Sequence, residues 1–154
     1  MSNNTDLIKK FYTAFAKQDA EGLSQCYHPD IKFNDPVFGN LSGSEVSGMW
    51  KMLIERSKGK IQIELSDVLA DVDSGSAKWT ATYNFSRTNR KIVNTINASF
   101  LFLDGLIIQH NDSFDFYKWC RQAFGWKGYL LGWTPFMQDK VRNQARLSLK
   151  NYRN

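Results

Sequence analysis

The fold is decided by residues 91–116, which read KIVNTINASFLFLDGLIIQHNDSFDF. Apolar and polar residues alternate on both sides of Asp104-Gly105, a dipeptide typical of two-residue hairpin turns. We therefore predict two antiparallel strands, the first over 91–103 and the second from 106 to about 116. A pair of strands this long indicates that the chain is built around a sheet.

The same turn determines which residues share a face of that sheet. A two-residue turn places Leu103 opposite Leu106, and a regular ladder then places Ser99 opposite His110 and Asn97 opposite Asp112. Directly opposed residues lie on one face. With an even-length turn near residue 89, this face holds the polar residues Thr80, Thr82, Asn84, Asn97, Ser99, His110 and Asp112, beside apolar ones that include Phe114.

The remaining periodicities predict three helices before the sheet and two after it. Apolar residues recur at helical spacing over 5–17, 19–27, 44–56, 117–124 and 135–151, and the third helix has Ser44 as its N-cap. A short strand over 31–35 and a loop over 36–43 precede the third helix, and glycines punctuate 125–132. Alternation resumes over 61–85, with a change of parity near Ser66-Asp67 that predicts a β-bulge.

Three helices followed by an antiparallel meander define an α+β protein. The chain shows no internal repeat and no linker rich in Pro, Gly or Ser. We predict one domain over 1–154, with a core of about 5–117 and a helical extension of about 118–154. Thr134-Pro135 is a strong start signal for the last helix, as an N-cap followed by proline.

The charge of the chain is unevenly distributed. The net charge is +5, but residues 1–117 contain 12 Lys and Arg against 14 Asp and Glu, whereas 118–154 contain 8 against Asp139 alone. The basic charge therefore belongs to the C-terminal extension, where a solvated outer face is the simplest interpretation. Contact of the basic C-terminal helix with an anionic membrane is a less favoured alternative.

Composition excludes several classes of protein. The first residues lack a basic and an apolar segment, so no signal peptide is predicted and we expect a cytoplasmic protein. The two Cys and two His residues lack metal-ligand spacing, so we expect no metal and no disulfide. The high aromatic content, 11 Phe, 6 Tyr and 5 Trp, favours an aromatic cavity or interface.

His110 and Asp112 are the main candidates for chemistry. They interrupt a row of apolar residues, where an ionised carboxylate is costly unless it is paired or hydrogen-bonded. A carboxylate beside an imidazole is a recognisable acid–base arrangement. A solvent-exposed face or a purely structural ion pair would produce the same pattern.

Asp35 is a second candidate carboxylate. It lies in the segment FNDPVFG, residues 33–39, between aromatic residues at a strand end. Asp-Pro also initiates turns without any functional role. Trp50 lies on the apolar stripe of the third helix and suits the core as well as a ligand site.

The opposite face of the predicted sheet is strongly aromatic. It collects Trp79, Ala81, Tyr83, Phe85, Ile96, Ala98, Phe100 and Phe102. So large an apolar surface is rarely left in water, and we expect a second subunit or the C-terminal helix to cover it. The face has almost no basic residues, so nucleic-acid binding is not predicted.

The segments YHPDIKFNDP (27–36) and Ser42-Gly43 resemble the nuclear transport factor 2-like superfamily over about residues 5–117. This is the cone-shaped α+β fold of ketosteroid isomerase, limonene epoxide hydrolase and the SnoaL-type polyketide cyclases. The tail, with DSFDFYKW (112–119) and GWTP (132–135), looks like a branch described as SnoaL-like or ketosteroid isomerase-like. Many relatives are homodimers, which implies a dimer through the sheet.

The resemblance also implies roles for single residues. Asp35 stands where ketosteroid isomerase has its general base, and Asp112 resembles the aspartate that activates water in limonene epoxide hydrolase. The isomerase oxyanion donors fall at Phe11, next to Tyr12, and at Ser99. Ser99, Asn97, Asn84, Tyr12, Trp50 and Phe114 complete the set of candidate substrate contacts.

Two hypotheses follow for function. In the first, Asp112 with His110 acts as general base, with Asp35 across the cavity, in a cofactor-independent isomerase or hydrolase for a hydrophobic, oxygenated substrate. In the second, the same fold is a ligand-binding or dimeric interaction module without chemistry.

Overall fold

The computed structural model describes residues 3–154. The predicted absence of a signal peptide concerns a segment that starts at Met1 and Ser2, which lie outside the described residues. The helices are α1 (Asn3–Ala16), α2 (Ala20–Ser24), α3 (Ser44–Ser57), α4 (Phe116–Phe124), α5 (Trp126–Leu131) and α6 (Pro135–Arg153). The strands are β1 (Tyr27–Asp35), β2 (Gly39–Ser42), β3 (Gln62–Ala70), β4 (Ser74–Asn84), β5 (Lys91–Leu103) and β6 (Leu106–Ser113).

All six strands form one sheet in the order β2-β1-β6-β5-β4-β3. The α+β class is confirmed, and the fold is the cone-shaped one, with helices packed on a curved sheet. One detail of the prediction is wrong, since β1 and β6 pair in parallel and the sheet is mixed. Hairpin turns fix the direction of the other neighbours, whereas β1 and β6 are distant in the chain and no turn constrains them.

The predicted hairpin between β5 and β6 is confirmed at its turn. Leu103 pairs with Leu106, and both Asp104 and Gly105 have positive φ, 54° and 75°, as a type I′ turn requires. The bulge in β3 is also confirmed, because the register with β4 shifts between Ser66 and Leu69.

Some element boundaries differ from the predicted ones. The N-cap of α3 is Gly43 rather than Ser44. The predicted loop 36–43 contains β2, which pairs with β1 as a short hairpin. The glycine-punctuated stretch 125–132 contains α5, and Thr134 caps α6 as predicted, accepting a hydrogen bond from Met137 N.

The predicted register beyond the β5–β6 turn is wrong. Phe102 pairs with Ile107 but Leu101 pairs with Gln109, so one extra residue is accommodated in β6. This bulge reverses the parity. His110 therefore pairs with Phe100 and Asp112 with Ala98.

The aromatic face of the sheet is consequently its inner face, and His110 and Asp112 belong to it. Trp79 shows how it is covered, since its ring lies 5.5 Å from Tyr12, 5.6 Å from Phe15 and 6.1 Å from Trp50, measured between ring centroids. These side chains come from α1 and α3. The N-terminal helices of the same chain therefore cover this part of the face, where a second subunit was one of the two expected covers. The C-terminal extension covers the other end as expected, since Trp119 and Phe124 pack on Phe85. Val141 of α6 packs in one cluster with Ile92.

Candidate functional site

A cavity of about 410 Å³ opens between the inner face of the sheet and helices α3, α4 and α6. Its walls are mainly apolar and aromatic, including Phe15, Met49, Trp50, Trp79, Phe85, Ile96, Phe114, Trp119 and Val141. Two carboxylates, Asp35 and Asp112, line it together with the polar side chains of Tyr83 and Asn94. A few polar groups in an apolar cavity are typical of a small-molecule site.

Asp112 is held from one side by two ring N–H groups. His110 Nε2 lies 2.9 Å from Asp112 Oδ1, and Trp79 Nε1 donates to the same oxygen at 3.4 Å. Asp112 is only 5% exposed and His110 is fully buried. Both of these side-chain hydrogen bonds end on Oδ1, and neither uses Oδ2 of this cavity-lining residue.

A chain of hydrogen bonds lies behind His110. Trp50 Nε1 donates to the Tyr27 hydroxyl oxygen at 2.8 Å, because an indole N–H can only donate. The Tyr27 hydroxyl lies 2.8 Å from His110 Nδ1, so both ring nitrogens of His110 have a hydrogen-bond partner. The chain holds the imidazole ring in place behind Asp112.

Asp35 lies at the end of β1, where the chain turns toward β2. Its Oδ1 accepts hydrogen bonds from Val37 N at 2.9 Å and Phe38 N at 2.6 Å. Burial of the carboxyl group raises its pKa to about 7, with the charge of Asp112 acting in the same direction against these two hydrogen bonds. Asp35 is therefore partly protonated at neutral pH.

Tyr83 and Asn94 add two neutral polar groups to the cavity. Trp119 Nε1 donates to the Tyr83 hydroxyl oxygen at 3.0 Å, which leaves the hydroxyl hydrogen available as a donor. Burial raises the pKa of Tyr83 to about 12, so the hydroxyl stays protonated. Asn94 is 8% exposed and lines the cavity from β5.

The structure brings together some of the predicted site residues. Asp112, Asp35, Trp50 and Phe114 line one cavity, and His110 stands directly behind Asp112. Asn84 lies at the exposed end of β4, on the rim of that cavity.

Three predicted contacts lie elsewhere. Ser99 and Asn97 of β5 lie on the exposed outer face of the sheet, and the bulge in β6 moves His110 and Asp112 to the face opposite them. Their assignment to the cavity is therefore corrected. Tyr12 is buried in the core between α1 and the sheet, and its hydroxyl has no hydrogen-bond partner among residues 3–154. It is not among the residues that line the cavity.

Sequence reasoning missed Asn94, Tyr83 and Tyr27 as parts of the site. Asn94 carried a usable signal, since it interrupts the apolar row Ile92, Ile96, Ala98, Phe100 in the same way that Asp112 interrupts its own row. Tyr83 and Tyr27 gave no such signal, because an aromatic residue continues an apolar pattern and its hydroxyl group is invisible to periodicity.

Two further findings concern metals and membranes. Within residues 3–154, no three His, Cys, Asp or Glu side chains lie close enough together to hold a metal ion. In the same part of the chain, no helix has the length and apolar character needed to cross a bilayer.

Comparison with protein families identifies the class of this fold and site. The SnoaL-like domain matches residues 8–110, well over half of the chain. The protein therefore belongs to the SnoaL-like domain family, within the nuclear transport factor 2-like fold. None of the curated proteins compared with it matches.

Solved structures with this fold are numerous and distant in sequence. TerC, co-crystallised with polyporic acid, is 20% identical with a TM-score of 0.63, covering 74% of this chain and 92% of TerC. An LEH-like epoxide hydrolase of M. tuberculosis is 16% identical with a TM-score of 0.61, covering 81% and 90%. Bal32a, from a soil-derived mobile gene cassette, is 20% identical with a TM-score of 0.69, covering 78% and 95%. At these identities the likeness concerns the fold.

Proposed function

We propose that the cavity is the active site of a cofactor-independent enzyme in which Asp112 is the general base. The proposal is based on the hydrogen bonds of this carboxylate, which reach only one of its two oxygen atoms. Its Oδ1 accepts from His110 and Trp79, neither of these bonds uses Oδ2, and the residue lines the cavity. A base must keep one oxygen available to take a proton, and fixed partners on the other oxygen hold it in position.

Asp35 and Tyr83 supply the complementary acidic groups. In a hydrolysis, Asp112 takes a proton from water, the water oxygen bonds to an electrophilic carbon, and the carbon–oxygen bond of the substrate breaks. Protonated Asp35, whose pKa is about 7, gives its proton to the departing oxygen. In an isomerisation, Asp112 instead takes a proton from a carbon next to a carbonyl group, and Tyr83 donates a hydrogen bond to the enolate oxygen. Asp112 then returns the proton to a different carbon of the conjugated enolate, which restores the carbonyl group and the ionised base.

The apolar walls favour a hydrophobic substrate with one or two oxygen atoms. Both the epoxide hydrolase and the polyporic acid complex among the structural neighbours are consistent with ligands of that kind. A cavity of about 410 Å³ is within the usual range for small-molecule sites.

Proton transfer by Asp112 can be tested before the natural substrate is known. We expect the protein to catalyse deuterium incorporation next to the carbonyl of apolar cyclic ketones in heavy water, or to open apolar aryl epoxides. Asp112→Asn, which keeps an acceptor at Oδ1, should lower either rate at least about a hundredfold. Asp35→Asn should reduce epoxide opening more than exchange, because only epoxide opening needs a proton donor.

Asp30→Asn is the matched control, since this exposed carboxylate lies on the same strand as Asp35 and outside the cavity. Binding of the same ketones, followed by calorimetry, separates the two hypotheses. Ketone binding without exchange or turnover in the unmodified protein would indicate a ligand-binding module. Activity that survives Asp112→Asn would show that Asp112 is not the base.

A further inference from the structure

Six large apolar side chains around α5 stand out from the surface of the protein. They are Trp126, Tyr129, Leu130, Leu131, Trp133 and Phe136, with exposed fractions of 68%, 59%, 61%, 43%, 64% and 70%. All of them fall within eleven consecutive residues on α5 and the start of α6. We call this set the α5 surface. A cluster of this many exposed aromatic and leucine side chains normally marks a binding site for a protein, a ligand or a membrane.

Within the segment that carries the α5 surface, the charged residues are all basic, and the next acid along the chain is Asp139, one helical turn after Phe136. Between Asp115 and Asp139 the chain contains Lys118, Arg121 and Lys127 and not a single Asp or Glu. The cations lie among the aromatic rings. The guanidinium of Arg121 is 4.8 Å from the ring centre of Tyr117 and 5.3 Å from that of Tyr129, and Lys127 Nζ is 5.8 Å from that of Trp126.

We propose that the α5 surface docks on an anionic lipid surface. Trp and Tyr prefer the boundary between lipid tails and water, because each has an apolar ring with a polar atom. Lysine and arginine beside them are attracted to anionic headgroups. Both chemistries occur together here, on a surface where the side chains protrude.

The charge of the α5 surface also argues against self-association through it. In a twofold dimer the same patch meets itself, so Lys118, Arg121 and Lys127 would face the same three cations of the other copy. An anionic bilayer supplies the complementary charge. The α5 surface comprises α5 and the start of α6. It is different from the basic face of the C-terminal helix, for which the sequence left membrane contact as a less favoured alternative.

Docking at α5 would bring the cavity close to the lipid. The preceding helix, α4, lines the cavity with Trp119 and Phe124 and carries Tyr117 and Arg121 toward α5. The Tyr117 hydroxyl donates to Tyr129 O at 2.9 Å, which ties the two helices together. The lipid contact is independent of the chemistry proposed for Asp112.

The test uses vesicles of phosphatidylcholine alone and of phosphatidylcholine mixed with phosphatidylglycerol. We expect the whole protein to co-sediment with the anionic vesicles at least about tenfold better than with the neutral ones. The double variant Trp126→Ser/Phe136→Ser and the double variant Lys118→Gln/Lys127→Gln should each weaken that binding about tenfold. In the lysine variant, the exposed Trp126 and Trp133 both remain as fluorescent reporters, and their blue shift on lipid binding should shrink in parallel.

Matched controls are available for both variants. Leu69→Ser/Val72→Ser removes two exposed apolar side chains far from α5 in the chain, and Lys60→Gln/Lys91→Gln removes two exposed lysines. Both controls should bind anionic vesicles like the unmodified protein. Binding that is lost with the lysines but intact in Trp126→Ser/Phe136→Ser would reduce the contact to charge alone and overturn the proposal. Absent vesicle binding, or self-association that Trp126→Ser/Phe136→Ser abolishes, would overturn it as well and indicate a protein contact.

Discussion

At the residue scale, Asp35 shows how a functional group opposes stability. Its pKa in the folded protein is about 7, above the ordinary value of 3.8, because the carboxyl group is buried. The folded state therefore binds this proton more tightly than the unfolded state does. The contribution of Asp35 to the free energy of unfolding falls as the pH rises from about 4 to about 7.

We expect Asp35→Asn to stabilise the protein at alkaline pH. Asparagine keeps an oxygen for Val37 N and Phe38 N but has no charge to bury. At about pH 8 the free energy of unfolding should rise by about 2 kcal/mol, less than the full linkage value because residue 35 as a whole is only half-buried and water screens part of the charge. The difference should shrink as the pH falls and vanish below about pH 3, where the carboxyl group is neutral in the folded and the unfolded protein. Urea unfolding at several pH values measures it.

Asp30→Asn provides the comparison for this effect, because its carboxylate is exposed. It should change the free energy of unfolding little, and equally at every pH. A variant at Asp35 that is less stable than the unmodified protein at about pH 8 would show that the ionised carboxylate is stabilising, which contradicts its raised pKa.

Single residues were predictable where polarity breaks an apolar pattern. His110 and Asp112 were found in this way, since a buried carboxylate needs a partner and the imidazole two residues away supplies one. Asn94 obeys the same rule on β5. The hydroxyl groups of Tyr27 and Tyr83 could not be predicted, because their roles depend on Trp50 and Trp119, which other elements bring within hydrogen-bond distance.

At the scale of elements, α6 forms one wall of the cavity and is fastened to the loop after Asp35. Arg142 Nη2 donates to Pro36 O at 3.4 Å, and Arg146 Nη1 donates to Phe38 O at 3.2 Å. Gly39, with φ +70°, allows this close approach, since a Cβ there would lie 3.2 Å from Arg142 Cδ. The helix thereby brings a positive charge near Asp35 and lowers its pKa against the effect of burial.

Removal of that charge should raise the pKa of Asp35 further. We expect Arg142→Gln to move the pKa of Asp35 above about 7, because one of the groups favouring the ionised form is lost. Carbon-detected NMR of the labelled carboxyl group measures this directly. Arg153 is on the same helix but donates a hydrogen bond to Ser44 Oγ, so Arg153→Gln should leave the pKa of Asp35 unchanged. An unchanged pKa in Arg142→Gln would mean that the charge on α6 does not influence the ionisation of Asp35.

Helix and strand boundaries were predictable where neighbouring residues determine them. Features that depend on residues distant in the chain were not. The β5 boundaries, the turn at Asp104-Gly105 and the cap at Thr134 depend on neighbouring residues alone. The bulge in β6 has no local turn signal, and one extra residue was enough to reverse the predicted faces. The parallel pairing of β1 with β6 depends on the packing of the whole sheet.

At the scale of the whole molecule, the bulge also changes where a sheet-mediated dimer would form. The aromatic face is enclosed by the chain's own helices, so only the outer face of the sheet remains for a partner. That face is polar, but β5 exposes Val93, Leu101 and Leu103 by 43%, 43% and 49%. It is separate from the α5 surface.

We expect the protein to form a homodimer through this outer face, with β5 at its centre. Leu101→Arg should then produce monomers, because an apolar contact is replaced by a charge that meets its own copy across the twofold axis. Sedimentation velocity over a range of concentrations measures the change. Trp126→Ser/Phe136→Ser, which changes the α5 surface and leaves the sheet intact, should remain dimeric. If the unmodified protein is a monomer throughout that range, the outer face is a solvent surface and the predicted dimer is wrong.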